Sequence, residues 1–139
     1  MKYLLDTCLI SELTKPQPNS GVAAWLLDIP ADCLFLSVLS IGEIRKGLSK
    51  LPESRRKTDL TGWINTLQQD YQTRILPVDL SVAENWAMLQ ARAEIGGTPM
   101  ATMDGLIAAT AWTHHLTVVT RNERDFMPAQ GPLLNPWAK

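Results

Sequence analysis

Short apolar runs that alternate with segments of helical periodicity constrain the fold of this chain more than any other feature. Runs with the character of buried strands occur at residues 2–5, 34–36, 75–78 and 116–120. Strands that are apolar along their whole length are typical of parallel sheets, because helices cover both faces of such sheets. The alternation of strands with helices predicts the same arrangement. We therefore expect an α/β fold, in which a parallel β-sheet is flanked by helices as an α/β/α sandwich.

Local signals predict where the helices between these strands begin and end. Ser37 is placed to cap the helix that follows the second strand, and Ser81 with Glu84 forms a capping-box pattern for a later helix. Gly96 and Gly97 are expected to end that later helix. The predicted helices cover residues 7–13, 20–29, 37–51, 53–69, 81–95 and 102–114, and residues 133–134 are a candidate for a further strand.

Length and charge limit the classes of protein to which the chain can belong. A chain of 139 residues fits one domain over residues 1–139, and its 45% hydrophobic and 19% charged residues are ordinary for a globular protein. Its 13 basic and 14 acidic residues leave a net charge of −1. Because phosphate affinity grows with the positive charge presented, any RNA-binding surface must be local or supplied by a second subunit.

The cysteines and the apolar segments indicate the cellular compartment. Cys8 and Cys33 lack the spacing of a metal-binding pair and no secretory leader is visible, so we expect reduced thiols in the cytoplasm. No apolar stretch reaches membrane-spanning length without a charge. We therefore predict a cytoplasmic protein with no membrane partner.

Four acidic residues lie in four separate segments of the predicted fold. Asp6 directly follows the first strand, and Glu43 lies on the helix that starts after the second. Asp104 opens the helix before the last clear strand, and Asp125 lies five residues beyond that strand. Ligand sites in parallel α/β folds lie beyond the carboxyl ends of the strands. We therefore expect these side chains to converge at one edge of the sheet.

Carboxylates gathered at one place repel one another, and a divalent cation removes that repulsion. A set of oxygen ligands suits Mg²⁺ or Mn²⁺ better than zinc. Such a cation lowers the pKa of a bound water and polarises a phosphoryl oxygen, which is the chemistry of phosphodiester hydrolysis. The cluster therefore predicts a catalytic metal site, and the number of ions in it stays open.

Each acidic residue also has a purely structural explanation when it is taken alone. Asp6 can be a turn former, and Asp104 can stabilise a helix N-terminus through the helix dipole. Glu43 can close a capping box begun by Ser40, and Asp125 can lie in the first turn of a capped helix. The joint placement of the acids supports the metal site, whereas no single residue does.

The segments that carry these acids resemble the motifs of PIN domains. Residues 4–7 (LLDT) are similar to the family's first strand and first Asp, and residues 36–47 (LSVLSIGEIRKG) to the segment leading to its Glu. Residues 103–111 (MDGLIAATA) resemble its D-x-x-I-A-A-x-A helix, and residues 118–126 (VVTRNERDF) its T-x-N-x-x-D-F ending. The motifs occur in the family's order and cover nearly the whole chain. Residues 6–18 look closest to the FitB-like branch of VapC proteins.

This resemblance implies a PIN-domain-like fold and an endoribonuclease that depends on Mg²⁺ or Mn²⁺. It also implies the toxin of a type II toxin–antitoxin pair, a homodimer inhibited by a small VapB-like antitoxin. Larger assemblies with the antitoxin are compatible with it, and we expect DNA to be reached only through the antitoxin. The RNA target is not readable from the sequence.

The resemblance also implies roles for particular residues. Metal binding and catalysis are assigned to Asp6, Glu43, Asp104 and Asp125. Thr7, Thr120 and Asn122 would lie beside them as supporting or substrate contacts. Cys8 departs from the family pattern, where Asn or Ser is usual, and a thiol weakens any hydrogen bond made there. Arg45, on the same predicted helix as Glu43, is the basic residue we single out as a candidate phosphate contact.

Two other α/β classes share part of this pattern, either a first strand that ends in Asp or acids clustered after strands. A phosphatase of the haloacid dehalogenase type would need Asp where Cys8 lies, and a receiver domain would need Lys where Arg121 follows the last clear strand. A catalytically silent PIN fold would act as a binding module through a partner protein and DNA. Loss of one of the acids would be its signature, and all of them are present. The nuclease is therefore ranked first.

Overall fold

Five short strands form the central sheet in the computed structural model, which describes residues 1–138. The strands are β1 (Tyr3–Leu5), β2 (Leu34–Ser37), β3 (Ile75–Leu76), β4 (Thr117–Val119) and β5 (Leu133–Leu134). All neighbouring strands are parallel, and their order across the sheet is β3-β2-β1-β4-β5. The chain thus moves from β1 to one side of the sheet and returns to β4 on the other. This reversal places a crevice between the carboxyl ends of β1 and β4.

Seven helices connect and flank these strands within the described residues. They are α1 (Thr7–Glu12), α2 (Ser20–Leu27), α3 (Val38–Ser49), α4 (Arg55–Asp70), α5 (Leu80–Ile95), α6 (Thr102–His114) and α7 (Glu123–Phe126). Short 3₁₀ turns lie at Ala31–Cys33, Met127–Ala129 and Pro136–Ala138. The predicted parallel α/β architecture is confirmed, including the additional strand predicted at residues 133–134.

Two hydrophobic clusters cover the two faces of the sheet. Leu4 and Val118 belong to the cluster that packs against α5 and α6, while Leu5 and Val119 belong to the cluster that packs against α1, α2 and α3. Successive residues of a strand point to opposite faces, so each strand contributes to both clusters. This double burial explains why the strands are apolar throughout instead of alternating with polar residues.

The start of α5 differs from its prediction. The capping box predicted for Ser81 and Glu84 is wrong, because Asp79 is the N-cap and its carboxylate accepts a hydrogen bond of 3.0 Å from the Val82 amide. The N-cap is the residue that keeps a non-helical backbone before the first turn. Asp79 has that extended conformation, whereas Ser81 already lies inside the helix.

The predicted cap of α3 and the predicted end of α5 are confirmed. Ser37 caps α3, its hydroxyl accepting from the Leu39 amide at 3.0 Å. Gly96 is the C-cap of α5, and Gly97 follows with a φ of +78°, which an L side chain rarely adopts. Both cysteines are free thiols. Residues 1–138 contain no helix that is long and apolar enough to cross a membrane.

Candidate active site

Asp6 and Thr120 lie side by side at the crevice between the two central strands. Asp6 follows β1 and Thr120 follows β4, and the Asp6 amide donates to the Val119 carbonyl at 3.0 Å. The Thr120 hydroxyl donates to Asp6 Oδ2 at 2.9 Å. The pairing of the strands therefore sets the position of this aspartate, and the threonine fixes its orientation.

The carboxylate of Asp6 is buried but well supplied with donors. Its Oδ1 accepts from the Thr7 amide at 2.8 Å, which makes Asp6 the N-cap of α1. Its Oδ2 accepts from Thr120 and, at 3.4 Å, from the Cys8 thiol. Burial raises the pKa of Asp6, and the charge on Glu43 raises it further, against the lowering effect of these hydrogen bonds. Asp6 therefore has a structural role as a helix cap. Its carboxylate is also destabilised in the charged form by burial and by the nearby Glu43.

Glu43 lies on α3 and is held by a residue of α1. The Thr7 hydroxyl donates to Glu43 Oε1 at 2.7 Å, and the same hydroxyl oxygen lies 2.9 Å from the Ser40 hydroxyl oxygen. Ser40 is fully buried inside α3, whose N-cap is Ser37. The alternative in which Ser40 and Glu43 form a capping box is therefore wrong.

The charges of the other three predicted site acids all act on Asp104. It lies in the first turn of α6. Burial, followed by the charges of Asp6, Asp125 and Glu43 in that order, raises the pKa of Asp104 from 3.8 to about 6. These charge effects indicate that the four carboxylates lie in the same region of the molecule.

Asp125 and Asn122 come from the segment that follows β4. Asp125 lies exposed in α7, whose N-cap position is taken by Asn122. The Asn122 side chain makes no capping hydrogen bond, so only its position, and not its side chain, matches the capping alternative. Its backbone amide donates to the Thr120 hydroxyl at 2.9 Å, which connects this segment to Asp6.

No basic side chain of the described chain balances these carboxylates. The ion pairs among residues 1–138 join Lys15 to Glu12 and Lys57 to Glu53, away from the cluster. In the same residues, no three His, Cys, Asp or Glu side chains are close enough, as they stand, to hold a metal ion. The four carboxylates are thus close enough for their charges to repel one another. As they stand, however, no three of them surround a common metal position.

Arg45 is the predicted site residue that lies apart from the cluster. Its Nε donates to Gln68 Oε1 at 3.0 Å, and its Nη2 donates to Asn65 Oδ1 at 2.7 Å, both on α4. Residues two apart on a helix point in nearly opposite directions, so Arg45 cannot face the same way as Glu43. Its role as a phosphate contact stays a prediction.

Two residues that the sequence did not assign to the site contact its side chains. Ser40 contacts Thr7 beneath Glu43, and Cys8 contacts both Asp6 and Thr120, its sulfur lying 3.6 Å from the Thr120 hydroxyl oxygen. A signal for Ser40 was present, because residues three apart share a helix face. For Cys8, burial and the Asp6 charge raise the pKa of the thiol, so it stays protonated at neutral pH.

The fold and site together define a class of α/β protein, one with an acidic cluster at the strand reversal of a parallel sheet. The chain belongs to the PIN-domain family, whose model matches residues 3–128. Toxin FitB from Neisseria gonorrhoeae is 39% identical over 138 residues, covering 96% of this chain and 97% of FitB. VapC ribonuclease Y4jK from Sinorhizobium fredii is 36% identical over 138 residues, covering 96% of each chain. The resemblance to PIN domains is confirmed.

Comparison with solved structures also places the chain among proteins of this family. The crystal structure of FitAcB from Neisseria gonorrhoeae matches with a TM-score of 0.94 at 38% identity, over 99% of both chains. A structure of FitAB bound to a DNA fragment matches with a TM-score of 0.93 at 38% identity, over 97% of this chain and 95% of the other. DNA-bound VapBC from Salmonella typhimurium, at 23% identity and a TM-score of 0.78 over 98% of both chains, shows the shared fold alone.

Proposed function

We propose that this protein is the toxin of a type II toxin–antitoxin pair and that it hydrolyses RNA phosphodiester bonds as a metal-dependent endoribonuclease. The observation that carries the proposal is that Asp104 interacts electrostatically with the other three carboxylates of the predicted set, while no basic residue of the described chain forms an ion pair with any of them. Relatives named as toxin FitB and as VapC ribonuclease support the same activity.

The donor set fits a hard divalent cation. Carboxylate oxygens are the ligands that Mg²⁺ and Mn²⁺ prefer, and the repulsion that raises the pKa of Asp104 is what a cation would relieve. The residues proposed to hold the ion are Asp6, Glu43, Asp104 and Asp125. When bound, such an ion supplies Lewis acidity and a water of lowered pKa.

The surrounding residues of the chain orient these carboxylates. Thr120 and the Thr7 amide hold the two oxygens of Asp6 separately, which fixes the plane of the carboxylate. The Thr7 hydroxyl holds Oε1 of Glu43, while Oε2 has no hydrogen-bond partner among residues 1–138. Glu43 thus keeps one oxygen free to accept a proton from an attacking water.

We propose a VapB-like antitoxin as the protein partner. FitAB and VapBC complexes, some of them bound to DNA, are the assemblies in which the structural relatives were solved. The net charge of −1 argues that this chain does not bind DNA through bulk electrostatics, so DNA contact is proposed to come from the antitoxin. A homodimer, a single domain over residues 1–139 and a cytoplasmic location stay predictions.

The proposal is tested by cleavage of transfer, ribosomal and messenger RNA with Mg²⁺ or Mn²⁺, with and without chelator. We expect the wild type to cut at least one class, and Asp104→Asn to lose at least roughly 10- to 100-fold in rate, because the bound ion loses a charged ligand. Asp59→Asn is the matched control, because Asp59 is an exposed carboxylate on α4. Cutting that survives the chelator, or that is equal in Asp104→Asn, would contradict the metal site. A folded, metal-loaded wild type that cuts none of these RNAs would favour the catalytically silent binding module.

A further inference from the structure

The first turn of α6 carries Asp104 but has no cap of its own. Its N-cap residue, Ala101, is exposed and makes no side-chain hydrogen bond. By contrast, α1 and α3 begin after Asp6 and Ser37, whose side chains accept from first-turn amides. A helix start without a cap leaves its first N–H groups without protein partners and frays more readily. The position of Asp104 therefore depends on contacts from outside α6.

Gln90 on α5 supplies the first of these contacts through its side-chain amide. Gln90 Nε2 donates to the Met100 carbonyl at 2.9 Å, and the Met100 amide donates to Gln90 Oε1 at 3.3 Å. Met100 is buried and directly precedes the N-cap residue of α6. The paired hydrogen bonds use both backbone groups of this residue, as a neighbouring strand would. They join the start of α6 to α5.

Trp86 and Gly105 provide the second contact, which sets how closely α6 lies on α5. A Cβ placed on Gly105 would lie 3.0 Å from Trp86 Nε1 and 3.1 Å from Trp86 Cδ1. Any larger residue after Asp104 would force the indole or the first turn of α6 to shift by a few tenths of an ångström, so glycine favours this approach although it weakens a helix interior. The Trp86 indole nitrogen is also buried, with no hydrogen-bond partner in the described chain. Two locally unfavourable features thus meet at one contact, which indicates that the close approach serves the site.

Charge explains why such a restraint is needed. The carboxylates of Asp6, Asp125 and Glu43 repel Asp104, so an unrestrained first turn would move away from them. We infer that Gln90 and Trp86 are positioning residues for Asp104, and that Gly105 leaves the space in which they act. Since Asp104 binds metal only under the proposed function, this inference rests on that function.

A double-mutant cycle between Gly105→Ala and Trp86→Leu tests the contact. The added methyl group should shift Asp104 by a few tenths of an ångström and lower kcat by about 3- to 10-fold, with the KM for RNA within about twofold, because a misplacement of about 1 Å costs up to about 100-fold in rate. Trp86→Leu removes the edge of the indole ring, so the double variant should regain most of the kcat lost in Gly105→Ala. A purely structural role would lower the free energy of unfolding of Gly105→Ala and leave its kcat at the wild-type value. Gly62→Ala is the matched control, because a Cβ on this exposed α4 glycine meets nothing within 4 Å.

Gln90→Met tests the contact between Gln90 and Met100. The Gln90 side chain is partly exposed, so the fold should tolerate the change. It removes both hydrogen bonds to Met100, and we expect kcat to fall with the KM for RNA unchanged. Mn²⁺ affinity, measured by electron paramagnetic resonance without RNA, should weaken in Gly105→Ala and in Gln90→Met. It should recover in the variant that combines Gly105→Ala with Trp86→Leu. Wild-type kcat and Mn²⁺ affinity in folded Gly105→Ala and Gln90→Met, or additive losses in the cycle, would overturn the inference.

The Mn²⁺ measurement separates this inference from the proposed function. A wild type that binds Mn²⁺ but cuts no RNA would refute the nuclease, while the weakening and recovery of Mn²⁺ binding would still support the positioning role. A wild type that binds no Mn²⁺ would overturn both.

Discussion

The Thr7 hydroxyl donates to Glu43 Oε1 over 2.7 Å, a hydrogen bond that spans 36 positions of sequence and ties α1 to α3. The backbone amide of the same threonine donates to Asp6 Oδ1 at 2.8 Å. One residue therefore orients two carboxylates from two separate segments. Its position directly after Asp6 is what allows its amide and hydroxyl to serve different acids.

We expect Thr7→Val to lower RNA cleavage by about tenfold or more, because a hydrogen bond to a charged group contributes about 1.5–3 kcal/mol. Valine keeps the shape and the backbone amide, so Asp6 retains its bond from residue 7 while Glu43 loses its donor. Thr7→Ser keeps the hydroxyl and should retain most of the activity. Equal activities of the valine and serine variants in a cleavage assay would show that the hydroxyl does not orient Glu43.

Asp104→Asn should raise the thermal stability of the metal-free protein near about pH 8. The pKa of Asp104 is about 6 in the folded chain against an ordinary value of 3.8, so the folded state binds more protons between these values. Stability from this group is therefore present at low pH and lost as the pH rises through about 6. Asparagine carries no charge and avoids the loss.

Thermal unfolding in chelator at about pH 8 and about pH 4 measures this effect, and the advantage of Asp104→Asn should shrink at the lower pH. Adding Mg²⁺ should raise the midpoint of the wild type more than that of the variant, because ligand binding stabilises the state that binds it. An asparagine variant less stable than the wild type at the higher pH would contradict the repulsion inferred for Asp104.

Cys8→Ser should retain at least wild-type cleavage. The Cys8 thiol lies 3.4 Å from Asp6 Oδ2 and is a weak donor, whereas a serine hydroxyl is a stronger one. Cys8→Ala removes the donor and should lower cleavage by about two- to tenfold, the equivalent of about 0.5–1.5 kcal/mol for one hydrogen bond. Parallel cleavage assays of the three proteins provide the check. A serine variant less active than the alanine variant would mean that the thiol has a role other than donating to Asp6.

Arg45→Met should lower the free energy of unfolding by about 0.5–1.5 kcal/mol, because Gln68 and Asn65 lose their charged donor at a partly exposed position. Methionine keeps the apolar stem of the side chain, so the packing between α3 and α4 is largely preserved. We expect the KM for RNA to stay within about twofold, and urea unfolding with cleavage kinetics at several salt concentrations distinguishes the two roles. A raised KM with a shallower salt dependence would instead establish Arg45 as a phosphate contact.

Local chemistry accounts for the parts of the fold and site that the sequence predicts. Residues 116–120 are apolar and β-branched and are predicted as a strand, and Ser37 before a periodic segment is predicted as a cap; both elements are present. The apolar pattern of the sequence shows where the strands end, and the carboxyl ends of parallel strands lie at one edge of the sheet. The acids of the site could therefore be predicted. The four PIN motifs identified the protein family, whereas the pattern of strands and helices indicated only the fold class.

Contacts between distant segments account for the parts that the sequence left open. The choice of Asp79 over Ser81 as a cap depends on the backbone conformation after β3, which the capping pattern does not contain. Arg45 meets Gln68 and Asn65 only because α4 folds back onto α3.

The sequence by itself determined the strands, most helix limits and which acids stand at strand ends, since each follows from periodicity and neighbours along the chain. Only the tertiary structure decided how closely Asp104 approaches the other acids and what holds it there. Its restraint comes from Gln90 and Trp86, on a different helix. The distance between packed helices depends on the side chains of both, so no single segment encodes it.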